Sequence, residues 1–386
     1  MIYLDHAATT QPYSEVTETL CHYMQNLFFN PAALYGPAID LETAIKDALS
    51  RIGRTLGCDG RQLIVTSGAT ESTNTAIKGY CHAHRRRGNK IVITSGEHSA
   101  TRESALFLES EGFEVERIPL TKDGVADLAV LKRALTPDVL LVSVIGVNNE
   151  TGAVNDVETI AELKREFCPE AALHVDYVQG WNRLPLQLDN SGIDLASFSG
   201  HKIHGPKGIG LLYCREGIRL SPLIHGGGQQ ANRRSGTEHP AAVLALAKAA
   251  EIGSSRRREN MSIVKNLREF LLSELDQLNV QYLENARTTA VPHILNISFP
   301  DIKGETLLHM LEQDNIYVAT GSACSSNKKR ISPVLSAMQI DQRFVEGTLR
   351  ISFDAANSEE ELTKVAKTIA QATEQLATLA PRRRGR

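Results

Sequence analysis

The chain has 386 residues, a formal net charge of −3, 42% hydrophobic residues and 23% charged residues. That length suggests two or three domains, or one large domain with a smaller companion, and the composition supplies a sizeable core and excludes global disorder. The near-neutral charge argues against a nucleic-acid binder, no apolar run approaches a membrane span, and Met1-Ile2-Tyr3-Leu4-Asp5-His6 lacks the shape of a signal peptide.

Cys21, Cys58, Cys81, Cys168, Cys214 and Cys324 are scattered without C-x-x-C spacing. This predicts reduced thiols in the cytoplasm, with neither a disulfide framework nor a metal site. The basic tail from Pro381 to Arg386 is expected to be frayed and solvated.

In chain order, Ile2 to His6 is a short opening segment closed by Thr9-Thr10-Gln11-Pro12, and a helical pattern starts at Ser14. After breaks at Asn30-Pro31 and Gly36-Pro37, Ile39 to Leu56 reads as an amphipathic helix with Leu41, Ile45, Leu49 and Ile52 on one face. Strand Leu63 to Thr66 is followed by a helix opening at Ser67-Gly68-Ala69-Thr70-Glu71 and running to about Gly79. The alternation continues with strand Lys90 to Thr94, helix Ser99 to Glu111, strand Glu114 to Ile118 and helix Leu128 to Leu135. Strand Val139 to Val144, helix Val157 to Phe167, strand Ala172 to Asp176 and strand Ile209 to Tyr213 complete it. Apolar strands alternating with helices predict an α/β fold with a mostly parallel sheet covered on both faces. Ligands of such sheets gather at the carboxyl ends of the strands, where the informative residues fall.

From about Arg256 the character changes. A charged helix from Ser254 to about Leu278 is expected to bridge to a second, α+β domain. That domain holds strands His293 to Phe299 and Thr348 to Phe353 and helices Gly304 to Gln313 and Ser358 to Leu379.

The chemistry centres on Ser197 to Gly210, which sets Lys202 among Ser199, His201, His204 and four glycines. A lysine held there beside a cofactor cavity can form a Schiff base with pyridoxal phosphate, with hydroxyl and imidazole donors for the phosphate. Taken alone, the stretch is equally a Gly-rich turn with solvated lysines. Ser67 to Thr70 joins a strand to a helix amino terminus, a phosphate site or a simple N-cap. Asp176 ends a buried strand and needs a cation, which a protonated pyridine nitrogen or a salt bridge would provide, and Gln179 lies within reach of the same ligand. His98 follows another strand and can stack on a planar ring, move protons or serve structure. Small and polar residues surround Cys324, and Lys328, Lys329 and Arg330 follow, a setting that favours an exposed thiolate. Arg350, on an alternating strand, calls for a planar anion such as an amino-acid carboxylate, or for a surface ion pair.

The chain resembles the cysteine desulfurases, pyridoxal-phosphate enzymes of the aminotransferase-like fold. The resemblance rests on Tyr3 to Thr10, Thr66 to Ser72, Val147 to Gly152, His174-Val175-Asp176 with Gln179, Ser197 to Gly210, Arg234 to Thr237 and Gly321 to Ser325. It implies a large cofactor-binding domain over residues 14–256, and a small domain of 1–13 and 257–386 that carries the cysteine on a longer, mobile loop. It implies Lys202 as the Schiff-base lysine, His98 stacked on the ring, Asp176 on the pyridine nitrogen and Gln179 on the ring oxygen. Thr70, Ser199 and His201 would hold the phosphate with Thr237 of a homodimer partner, and Asn149 and Arg350 the substrate carboxylate. Cys324 would take the sulfur of L-cysteine as a persulfide, releasing L-alanine and delivering sulfur to an acceptor protein for iron–sulfur cluster assembly or for tRNA or DNA thiolation. Neither nucleic acid nor membrane is expected as a direct partner. A selenocysteine lyase or aminotransferase of the same fold, or a catalytically silent assembly partner, remain as alternatives. The chain departs from the family at His6, Tyr35, Tyr177 and Phe353 to Asn357, which leaves the pocket rim and the packing beside the ring open.

Overall fold

The computed structural model describes residues 1–320 and 332–379. A short β1 (Ile2–Tyr3) leads to α1 (Ser14–Asn26) and α2 (Gly36–Leu56). There follow β2 (Leu63–Thr66), α3 (Ala69–His84), β3 (Lys90–Thr94), α4 (Ser99–Ser110), β4 (Glu114–Ile118), α5 (Leu128–Ala134) and β5 (Val139–Ile145). Next come α6 (Val157–Phe167), β6 (Ala172–Asp176), β7 (Leu195–Ser199), β8 (Gly210–Cys214) and the long α7 (Pro240–Gln277). The remainder is β9 (Leu283–Asn285), β10 (Ile294–Ser298), α8 (Gly304–Gln313), β11 (Ile316–Tyr317), β12 (Ala319–Thr320), α9 (Pro333–Ala337), α10 (Gln342–Val345), β13 (Thr348–Ser352) and α11 (Glu359–Leu379).

Seven strands form one sheet in the order β2-β8-β7-β6-β5-β3-β4, parallel except that β8 runs antiparallel to both neighbours. Every residue of β3, β5, β6, β7 and β8 is buried, as a sheet covered on both faces requires. The two faces feed separate apolar clusters: on β3, Val92 enters one while Ile91 and Ile93 enter the other. The first cluster also takes Ile45, Ala48, Ile52 and Leu56 of α2, spaced by three and four residues along one helix face.

A second sheet, β12-β13-β10-β9, is antiparallel throughout, and β1 pairs in parallel with β11. Together with α8, α11 and the far half of α7 it encloses a third apolar cluster, from Ile2 and Leu4 to Ile369 and Ala372. Helix α7 starts fourteen residues before the expected Ser254. Its near half, Ala241 to Ala250, is almost wholly buried on the first cluster, whereas Val264, Leu267, Leu271 and Leu275 of its far half form a stripe against the third.

Candidate active site

Strand β7 delivers Ser199 to the end of the large sheet, and the chain turns at once through Gly200–Lys202. The turn is tight because Gly210, opening the return strand, has no side chain: a Cβ there would stand 2.5 Å from Phe198 O and 2.7 Å from Gly68 Cα. The lysine amine is held by the opposite end of the chain. Lys202 Nζ donates to Ala7 O and Ala8 O, both at 2.6 Å. The neighbouring His201 Nδ1 lies 3.2 Å from Thr9 Oγ1. Burial, with Lys202 and Lys207 close by, pushes the His201 imidazole down to about 4, so it is neutral at pH 7.

Strand ends β3, β5 and β6 bring acids and imidazole to the same place. Asp176 closes β6 and accepts from Val178 N at 3.1 Å. Burial raises its carboxyl, with His98, Val178 and Lys202 pulling the other way. A carboxyl in that position binds best to a group that brings a proton and positive charge. His98 caps α4 by accepting from Ala100 N at 3.1 Å through Nδ1, so the neutral ring carries its proton on Nε2. Burial lowers its basicity despite the attraction of Asp176. Gln179 donates to Ala7 O at 2.8 Å, beside the lysine amine.

No side chain caps α3 at its start, so the amides of its first turn are left for a ligand. Ser67, Thr70 and Ser199 line the same space. At the other end, Arg350 reaches in from β13, only 7% exposed. Its Nη1 donates to Asn149 O at 2.8 Å and its Nη2 to Asp5 Oδ1 at 2.7 Å, while Nε has no partner among the described residues. The Arg350 side chain is therefore aimed by two neighbours and keeps one buried donor for an anion.

These groups line one cavity of about 620 Å³ between the two sheets. It unites Thr70, His98, Asn149, Asp176 and Gln179 with Ser199, His201, Lys202 and Arg350. Thr237 is exposed in the loop before α7 and is absent from the lining, and Cys324 lies outside the described residues. None of the departures at His6, Tyr35, Tyr177 and 353–357 lines the cavity. Tyr177 turns into the core towards Phe198, and its ring fills the space that side chains at residues 146 and 180, both glycine, would claim. Asp354 instead meets His204 at 3.0 Å. Sequence reading missed Asp5 as the partner that aims Arg350, although it lies within the Tyr3–Thr10 motif.

The donor set fits pyridoxal phosphate. It offers an amine for the aldehyde carbon, a buried carboxyl for the ring nitrogen, an imidazole beside both, and amide and hydroxyl donors at a helix start for the phosphate.

Comparison with known proteins gives the same reading. The model of the family "Aminotransferase class-V" matches residues 2–365. The cysteine desulfurase IscS of Dictyoglomus turgidum is 35% identical over 98% of this chain and 96% of its own. A solved NifS-like protein superposes with a TM-score of 0.91 at 34% identity, covering 97% of this chain and 100% of that one. A second structure, described as SspA in complex with cysteine, reaches a TM-score of 0.82 at 29% identity over 93% of this chain and 100% of its own. The chain belongs to the class V aminotransferase family and is a pyridoxal-phosphate-dependent enzyme of the cysteine desulfurase type.

Proposed function

We propose that this enzyme converts L-cysteine to L-alanine and passes the sulfur, as a persulfide on Cys324, to an acceptor protein. The observation that carries the reading is the single cavity in which Lys202, Asp176 and Arg350 meet. Pyridoxal phosphate, when bound, supplies an electron sink for charge developing at the substrate α-carbon. Lys202 would anchor it through its amine, and that amine, once displaced by the amine of the substrate, would take the α-proton. Asp176 would hold the proton of the ring nitrogen, Gln179 would serve the ring oxygen and His98 would cover the ring. Thr70, Ser199 and His201 hold the phosphate, and Asn149 and Arg350 hold the substrate carboxylate. The Cys324 thiolate attacks the substrate sulfur: the new S–S bond forms as the C–S bond breaks, and the departing electron pair is protonated to give the methyl group of alanine. L-Cysteine as substrate is supported by the desulfurase relatives and by the cysteine-bound structural neighbour.

The acceptor serves iron–sulfur cluster assembly or tRNA or DNA thiolation. The unit of function is a homodimer in the cytoplasm, with Thr237 reaching the partner's phosphate site. Supporting this are Phe28 (74%), Leu34 (94%) and Tyr35 (51%), large apolar side chains exposed along one short stretch of chain. We place the division of the chain at residues 14–256 for the large domain, with 1–13 and 257–386 forming the small one. Separate apolar clusters support that division.

Alanine release from cysteine, measured with and without candidate acceptors, tests the reading. Cys324→Ser should keep the bound cofactor and its spectral response to cysteine, yet form no persulfide and release alanine only at background. Transamination of keto acids without alanine release from cysteine would sink it.

A further inference from the structure

Glu97 precedes His98 but takes no part in the chemistry above. Its side chain is buried where strand ends meet. Oε1 accepts from Thr94 Oγ1 at 2.6 Å, at the end of β3, and from Ile145 N at 2.8 Å, at the end of β5. Ile145 is in register with Asp176 on the adjoining β6. Oε2 is equally buried and has no hydrogen-bond partner among the described residues.

This asymmetry fits one protonation state. A carboxylate shares its charge over both oxygens, and an ionised Glu97 would leave one charged oxygen bare in a dry site. In a carboxylic acid the carbonyl oxygen takes both donors and the hydroxyl takes the unpartnered position, at a far smaller cost. The charged group facing Glu97 is Asp176, with His98 next along its own chain. A second negative charge here would drive Asp176 towards protonation. Burial pushes the Glu97 carboxyl up to about 8, against the pull of Thr94 and Ile145, and Asp176 adds to the rise.

We propose that Glu97 is a positioning residue that works as an uncharged carboxylic acid, tying the ends of β3 and β5 together beside Asp176 so that Asp176 alone carries the negative charge of the cavity floor. The functional half of this proposal rests on the assignment of Asp176 to the ring nitrogen.

Glu97→Gln keeps the shape and the acceptor oxygen but cannot ionise. In the holoenzyme at pH 7 it should leave alanine release and cofactor absorption within about two-fold of wild type, since nothing charged is lost. Melting temperature against pH is the decisive readout. A carboxyl whose folded pKa is raised destabilises the fold increasingly from the ordinary carboxylate range up to about 8, so the advantage of Glu97→Gln should grow over that window and then level off. Turnover of wild type should fall as pH rises through about 8, and Glu97→Gln should extend the plateau upward. Glu97→Leu, which loses both hydrogen bonds, should retain cofactor about tenfold less well. The proposal is overturned if the melting advantage of Glu97→Gln shrinks or reverses with rising pH, if its turnover at pH 7 falls more than about tenfold, or if both proteins share one alkaline limb. Absence of alanine release in either protein would sink the desulfurase reading instead, and the melting comparison would still decide the state of Glu97.

Discussion

Two lysines line the cavity, Lys202 and Lys207, and the geometry separates them. Lys202 is drawn inward by the carbonyls of Ala7 and Ala8, whereas Lys207 is exposed at the rim. Borohydride reduction followed by peptide mapping should therefore place the cofactor on Lys202. Lys202→Ala should abolish turnover and the visible absorption of the lysine-bound cofactor, while Lys207→Ala keeps both. Label on Lys207 would overturn the assignment. At this scale the sequence was legible where a residue type is rare in its setting. An acid ending an apolar strand, or a lysine among glycines, announces itself. Asp5 and Glu97 stood out only as members of a motif and of a strand end, without a role, because their meaning lies in partners hundreds or tens of residues away: Arg350 for the first, Ile145 for the second.

The Lys202 turn is tied to the small sheet by one buried pair. His204 Nδ1 faces the carbonyl of Gln11 at 2.9 Å, which can only accept, so that nitrogen bears a proton. Its Nε2 stands 3.0 Å from Asp354 Oδ2. Burial pushes the Asp354 carboxyl up, but His204, His6 and Arg183 together pull it well below the usual carboxylate range. Asp354→Asn removes the anion that faces the buried Arg183 and should cost about 3 kcal/mol at pH 7. A depressed carboxyl contributes fully above its unfolded pKa and loses its effect as pH falls towards its folded one. The deficit should thus be constant near neutrality and shrink below about pH 4. Chemical denaturation at several pH values checks this, and a deficit that grows on acidification would contradict the pairing. Elements themselves were readable where a period exists: β2 to β6 fall at their expected places because unbroken apolar runs bounded by polar turns admit little else. The near half of α7 was not, because alanines buried on every side leave no apolar face to find. Strand β7, reduced to Leu195-Ala196-Ser197-Phe198-Ser199, hides behind small residues for the same reason.

Across the whole molecule, one cavity is shared between two sheets with separate cores, and the Thr237 loop and the apolar side chains of Phe28, Leu34 and Tyr35 stand exposed. If a partner's Thr237 completes the phosphate site, Thr237→Ala should release cofactor faster in dialysis without changing the melting of the cofactor-free protein. Sedimentation should show a dimer, and a fully active monomer at assay concentration would defeat the proposal. Mixing a Lys202→Ala chain with a Thr237→Ala chain should restore one intact site per hybrid dimer.

The opening of the chain also imposes an order on its making. Ile2 and Tyr3 pair with Ile316 and Tyr317, Asp5 bridges to Ser352 and grips Arg350, and Ala7 and Ala8 close over Lys202. Asp5 meets its partner 345 residues along the chain, whereas Ala7 meets Lys202 at a separation of 195. Contacts of greater separation close later in folding, so Ala7 and Ala8 can meet Lys202 and Gln179 before Asp5 meets Arg350. The wall of the cavity that carries Arg350 is therefore the later of the two to close.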